Sequence, residues 1–126
     1  MRLLLDTHAY LWWLLDHPTL DADARDAIAA GEQLVFVSAA SIWEAAIKSA
    51  LGRLDTRNSD LVSEIEANGF EELPIHARHA GAAGALDAHH DDPFDRMLVA
   101  QAQIEQLTIV TRDRAFGPYG VATLTA

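Results

Sequence analysis

Asp6, Glu44, Asp95 and Asp113 are the residues of this chain best placed to do chemistry. Asp6 directly follows the apolar run Leu3-Leu4-Leu5, and Asp113 follows Ile109-Val110 after a short polar step. Glu44 and Asp95 fall in the opening turns of two expected helices. If the apolar runs are neighbouring parallel strands, all four acids gather at one edge of one sheet. Carboxylates held that close repel one another unless positive charge lies between them. A divalent cation meets that need. An oxygen-only ligand set in a chain without cysteine favours Mg²⁺ or Mn²⁺ over zinc.

Each acid also has a purely structural reading. Asp6 suits the N-cap of a first helix. Ser41-Ile42-Trp43-Glu44 matches a capping box, and Asp92-Pro93-Phe94-Asp95 combines a cap, a helix-opening proline and an early acid. Asp113 suits a turn. Capping alone does not require an acid after each of several β-segments, because Ser or Thr caps equally well. Ser38 is already available for the helix that carries Glu44. Capping and metal binding are also compatible, since a helix N-terminus favours the ionised carboxylate.

The elements that must position these acids follow from periodicity and punctuation. Strands are expected at 1–5, 34–37, 70–73 and 107–111, with a fifth at 121–124. Helices are expected at 7–15, 21–30, 39–51, 59–68, 75–86 and 93–106, with Gly52 just past the third of them. Strands alternating with helices imply an α/β fold with a mostly parallel sheet of four to five strands covered on both faces. Ligands in such sheets bind beyond the carboxyl ends of the strands, where the acids fall.

The chain has 126 residues, half of them hydrophobic, which is one ordinary domain (1–126) with a real core. The lack of cysteine excludes a disulfide scaffold and fits a reducing cytosol. The apolar stretch 9–15 is too short to span a bilayer, and nothing at the N-terminus reads as a secretory signal. A cytoplasmic protein without membrane contact is therefore expected. The net charge of −10 cuts against a simple nucleic-acid binder, which usually shows a basic face, and points to a basic partner. The six histidines match no zinc motif and are expected at the surface or in loops.

Leu5-Asp6-Thr7-His8 leads into Leu11-Trp12-Trp13-Leu14. Val37-Ser38 leads into Ser41-Ile42-Trp43-Glu44, then Lys48 and Gly52-Arg53-Leu54. Asp92-Pro93-Phe94-Asp95-Arg96 runs into Ala100-Gln101-Ala102, and Val110-Thr111-Arg112-Asp113 closes the series. In that order these segments resemble the PIN-domain ribonucleases, and among them the VapC-type toxins of toxin–antitoxin pairs. The resemblance spans nearly the whole chain, although residues 55–88 add little.

The resemblance implies a PIN-like three-layer fold and metal-dependent endonuclease chemistry on RNA. It puts Asp6, Glu44, Asp95 and Asp113 on the family's acidic positions and Thr111 on its small hydroxyl position. A bound Mg²⁺ or Mn²⁺ would acidify water and stabilise charge on phosphoryl oxygens. Asp6 and Asp95 are expected to bind the ion directly, Glu44 to ligate it or orient water, and Asp113 to complete the site. Thr7 and Thr111 would hold ligands or solvent by hydrogen bonds.

Lys48, Arg96, Arg112 and Arg114 lie near the acids in sequence and are candidate phosphate contacts. Their plain reading is solvated charge or partners of the surplus carboxylates. The first helix is apolar on nearly every side, so Trp12 or Trp13 is expected at a protein interface unless the second helix covers them. The resemblance supplies the partners: an antitoxin, or a second copy of the chain in a homodimer. Rival readings are a receiver-like signalling domain, which gathers acids around Mg²⁺ but needs paired acids after its first strand and a late lysine, and a catalytically silent PIN-like partner-binding protein.

Overall fold

The computed structural model describes residues 2–56 and 59–126. Among these residues five strands, β1 (Arg2–Leu5), β2 (Leu34–Ser38), β3 (Glu71–Leu73), β4 (Thr108–Thr111) and β5 (Thr123–Thr125), form one sheet in the order β3-β2-β1-β4-β5. Every pairing is parallel, with Leu5 opposite Val37 on one side and Val110 on the other. The expected mostly parallel sheet is thus wholly parallel. The strand expected at 1–5 begins at Arg2, Met1 lying outside the described residues.

Among the described residues six α-helices accompany the strands: α1 (Thr7–Leu14), α2 (Ala22–Ala29), α3 (Ala39–Ala50), α4 (Leu61–Ala67), α5 (Ala77–Ala85) and α6 (Pro93–Glu105). Side chains alternate across a strand, and β1 uses both directions. Leu3 and Leu5 join Ala9, Tyr10, Ala24, Ile28 and Ile65 in one core layer. Leu4 joins Ala40, Leu98, Val99, Ala102 and Ile109 in the other. Burial on both faces explains why β1 and β4 read as continuous apolar runs.

Helix ends follow their punctuation. Ser38 caps α3 by accepting from the Ala40 N–H at 3.0 Å. Past its other end Gly52 takes φ +70°, which lets the Arg53 N–H reach the Lys48 carbonyl at 2.8 Å. Asp92 caps α6, with Pro93 in its first turn. Two features carried no signal in the sequence. A 3-10 helix occupies Arg114–Tyr119, and the last strand starts two residues later than expected.

The faces of α3 also differ from a simple amphipathic reading. Ala40, Ser41, Glu44 and Ala45 are buried, while Trp43 and Leu51 are 62 % and 61 % exposed and Ile47 lies on the same exposed stripe. Trp12 and Trp13 are instead half-buried against the first core layer. Trp13 donates to Asn68 Oδ1 at 3.0 Å and lies beside Phe70. Trp12 sits under the Arg112 guanidinium.

Candidate active site

The strand order places a topological switch between β1 and β4, because the chain builds outward from β1 to β3 and then returns to the other side of β1. Parallel sheets leave a crevice at such a point. Asp6 stands at the carboxyl end of β1, where its N–H bonds the Val110 carbonyl of β4 at 3.1 Å. Asp113 follows the end of β4, with Arg112 between them. Glu44 enters from the second turn of α3, and Asp95 from the first turn of α6. A cleft of about 250 Å³ is lined by Asp6, Thr7, His8, Glu44, Lys48, His90, Asp92, Asp95 and Asp113. All four sequence-identified acids therefore meet in one place.

Local hydrogen bonds fix each of them. Asp6 Oδ1 accepts from the Ala9 N–H at 2.8 Å and so caps α1. Asp113 Oδ1 accepts from the Ala115 N–H at 2.9 Å and caps the 3-10 helix. Asp113 also donates its own N–H to the Thr111 hydroxyl at 3.0 Å. Glu44, only 3 % exposed, receives the Thr7 hydroxyl on Oε1 and the Lys48 ammonium on Oε2, each at 2.6 Å. Asp92 Oδ1 accepts from the N–H groups of Phe94 and Asp95. Asp95 Oδ2 takes the His90 Nε2 at 2.9 Å.

Crowding shows in the proton affinities. Burial, reinforced by the charges of Asp92 and Glu44, pushes Asp95 up to about 7. Burial also raises Asp6, against hydrogen bonds from Thr111 and the Ala9 backbone that lower it. The Glu44 carboxylate raises Lys48 in turn. Among the described residues five carboxylates thus line the cleft against one lysine and the rings of His8 and His90. Hard oxygen donors with an unmet demand for positive charge suit a divalent cation bound through oxygen, so the donor set fits Mg²⁺ or Mn²⁺.

The other sequence candidates lie differently. Thr111 is buried behind Asp6 and Asp113 and does not line the cleft. Lys48 lines it. Arg96 turns its guanidinium to the carbonyls of Ala83, Leu86, Asp87 and His90. Arg112 reaches the carbonyls of Ala126 and Thr19, and Arg114 is exposed.

One histidine departs from the expectation of surface or loop placement, and another, in a loop as expected, falls in the cleft. His79 is fully buried and paired with Glu105 at 3.2 Å. His90, on the loop before α6, lies among the acids, and a ligand atom from each of His90, Asp95 and Asp113 falls within 4.8 Å of the others. Its place five residues before Asp95 was the available signal. No helix among the described residues is long and apolar enough to cross a membrane.

Comparison with curated proteins gives no match. Among solved structures the fold is similar to VapBC2 from Rickettsia felis bound to a promoter DNA fragment, with a TM-score of 0.75, 15 % identity and 98 % of each chain covered. It is similar to FitAcB from Neisseria gonorrhoeae, with a TM-score of 0.67, 20 % identity, and 98 % of this chain and 96 % of that one covered. A toxin–antitoxin complex from Klebsiella pneumoniae gives 0.63 at 20 % identity, covering 97 % of this chain and 95 % of its own. At such identities these likenesses concern the fold. The family pattern of the PIN domain matches residues 3–120, and with its parallel sheet and acid-lined switch point the chain belongs to the PIN domain family.

Proposed function

We propose that the chain is an endoribonuclease dependent on Mg²⁺ or Mn²⁺ and that it acts as the toxin of a toxin–antitoxin pair. The observation that carries this reading is the meeting of Asp6, Glu44, Asp95 and Asp113 from four separate segments in one cleft. The resemblance to toxin–antitoxin structures agrees with it. When bound, the ion supplies an acidified water and charge stabilisation for phosphodiester hydrolysis.

The chain's own residues do the remaining work. Asp6 and Asp95 are the proposed direct ligands, and because burial raises the proton affinity of each, the ion competes with protons for them. Thr7 and Lys48 hold both oxygens of Glu44, which aims that carboxylate at a ligand or a water. Asp113 completes the site with the oxygen its helix cap leaves free. Thr111 supports both neighbouring acids without touching substrate. Lys48 is the cation placed to meet an RNA phosphate in the cleft, while the guanidinium groups of Arg96 and Arg112 are occupied by carbonyls.

A basic antitoxin segment suits an acidic cleft on a chain of net charge −10. For the homodimer, the exposed stripe of Trp43, Ile47 and Leu51 is the candidate surface, and sedimentation of Trp43→Ser against the unaltered chain tests it. The deciding experiment is cleavage of cellular RNA by the purified, partner-free protein with Mg²⁺, Mn²⁺ or EDTA. Activity should need the ion and vanish in Asp6→Asn and Asp95→Asn. Cleavage that persists in EDTA and in both variants refutes the reading.

A further inference from the structure

His90 touches two of the acids but is not one of them. Its Nε2 lies 2.9 Å from Asp95 Oδ2 and 3.6 Å from Asp113 Oδ2. Its Nδ1 accepts the Asp92 N–H at 3.3 Å. A ring nitrogen that accepts a backbone N–H carries no proton, so in the neutral ring the hydrogen sits on Nε2 and is donated to Asp95. That tautomer leaves no lone pair on Nε2 for a metal. The ring stands edge-on to Phe116, with centroids 6.3 Å apart.

We infer that His90 is a positioning residue for the metal site, holding Asp95 Oδ2 beside Asp113 so that the two carboxylates can share one ion. This inference rests on the metal-dependent reading above. Two oxygens bound to one small divalent cation at about 2.1 Å sit about 3 Å apart, so like charges must be kept close before the ion arrives. A donated N–H directed at the pair opposes their repulsion. Hydrogen-bond partners of ligating groups commonly set metal affinity in this way.

The loop that presents the ring is itself held. Arg96 donates to the carbonyls of Ala83 and Leu86, both at 2.9 Å, Asp87 at 3.1 Å and His90 at 3.3 Å. These four carbonyls span the end of α5 and the loop before α6. Arg96 thereby fixes the backbone that carries His90, and a lysine cannot reproduce its planar fork.

The test is Mn²⁺ binding by the purified full-length chain, read from the paramagnetic resonance of free and bound Mn²⁺ and requiring no activity. His90→Ala should weaken binding about 10- to 100-fold with an unchanged circular dichroism spectrum. His90→Gln keeps a side-chain N–H and should recover most of the affinity. Arg96→Lys should show part of the loss, and the double variant Arg96→Lys/His90→Ala should fall short of the sum because the two act through one contact.

Unchanged affinity in His90→Ala, or no recovery in His90→Gln, overturns the inference while leaving the metal site standing. A strong ¹⁴N coupling on the bound Mn²⁺ of the unaltered chain also overturns it, by making His90 a direct ligand. Failure of the unaltered chain to bind Mn²⁺, or binding untouched by Asp6→Asn and Asp95→Asn, overturns the metal-dependent reading itself and this inference with it.

Discussion

Replacing Asp95 with asparagine should make the metal-free protein more stable at neutral pH while abolishing metal binding. In the folded chain Asp95 holds its proton up to about pH 7, against an ordinary value of 3.8. The unfolded chain gives that proton up near the ordinary value. Between the two the unfolded state binds fewer protons than the native state, so stability falls as pH rises and levels off above about 7. At about 1.36 kcal/mol per unit, the gap is worth about 4 kcal/mol. The side chain is 19 % exposed and its charge is shared with Asp92 and Glu44, so roughly half of that, about 2 kcal/mol, should be measured. The asparagine amide has nothing to ionise, and its carbonyl oxygen can still accept from His90. Urea unfolding in EDTA at pH 4.5, 6 and 8 should therefore show Asp95→Asn gaining little at about pH 4.5 and about 2 kcal/mol at pH 8. A difference that stays flat with pH, or that favours Asp95 at pH 8, would show that burial and neighbouring acids do not strain this carboxylate.

Mn²⁺ in excess should raise the melting temperature of the unaltered chain and leave that of Asp6→Asn in place, because only a native state that binds the ion is stabilised by it; scanning calorimetry reads both. Thr111→Val removes a hydroxyl that lowers the proton affinity of Asp6 and accepts the Asp113 N–H. Its Mn²⁺ affinity should therefore fall further behind the unaltered chain at pH 6 than at pH 8, as protons compete harder for Asp6. Ser38→Ala removes both the cap of α3 and the 2.6 Å bond to the buried Gln101 Oε1, and should cost about 2–3 kcal/mol in urea titrations. Trp13→Ala should cost about 2–3 kcal/mol, whereas Trp43→Ala, at an exposed position, should cost less than about 1 kcal/mol.

What could be read from the sequence depended on whether a signal was local. Leu3-Leu4-Leu5 and Ile109-Val110 announce buried strands because strands covered on both faces need unbroken apolar runs. Asp6, Ser38 and Asp92 mark helix starts through bonds within three residues of themselves, so those boundaries and the acids attached to them were legible. Long-range placement was not. Trp12 and Trp43 look alike in sequence, yet α1 turns one toward Arg112 while α3 must point Glu44 inward and so turns Trp43 outward. The burial of His79 depends on Glu105, twenty-six residues away. His90 enters the cleft from a loop whose carbonyls bond Arg96, and polar loop residues carry no periodicity that records such a return.

The carboxylates of Asp6 and Asp113 set a limit on what these positions tolerate. In each, Oδ1 is taken by a backbone N–H two or three residues ahead. That grip works only for a side chain one methylene long. Glutamate would keep the charge, yet its reach would carry the carboxylate past the helix end and out of register with the cleft. These two sites therefore act as molecular callipers, in which side-chain length is under constraint as well as acidity. Glu44 is free of that restriction, because its oxygens are gripped by side chains on α1 and α3 and not by a helix terminus.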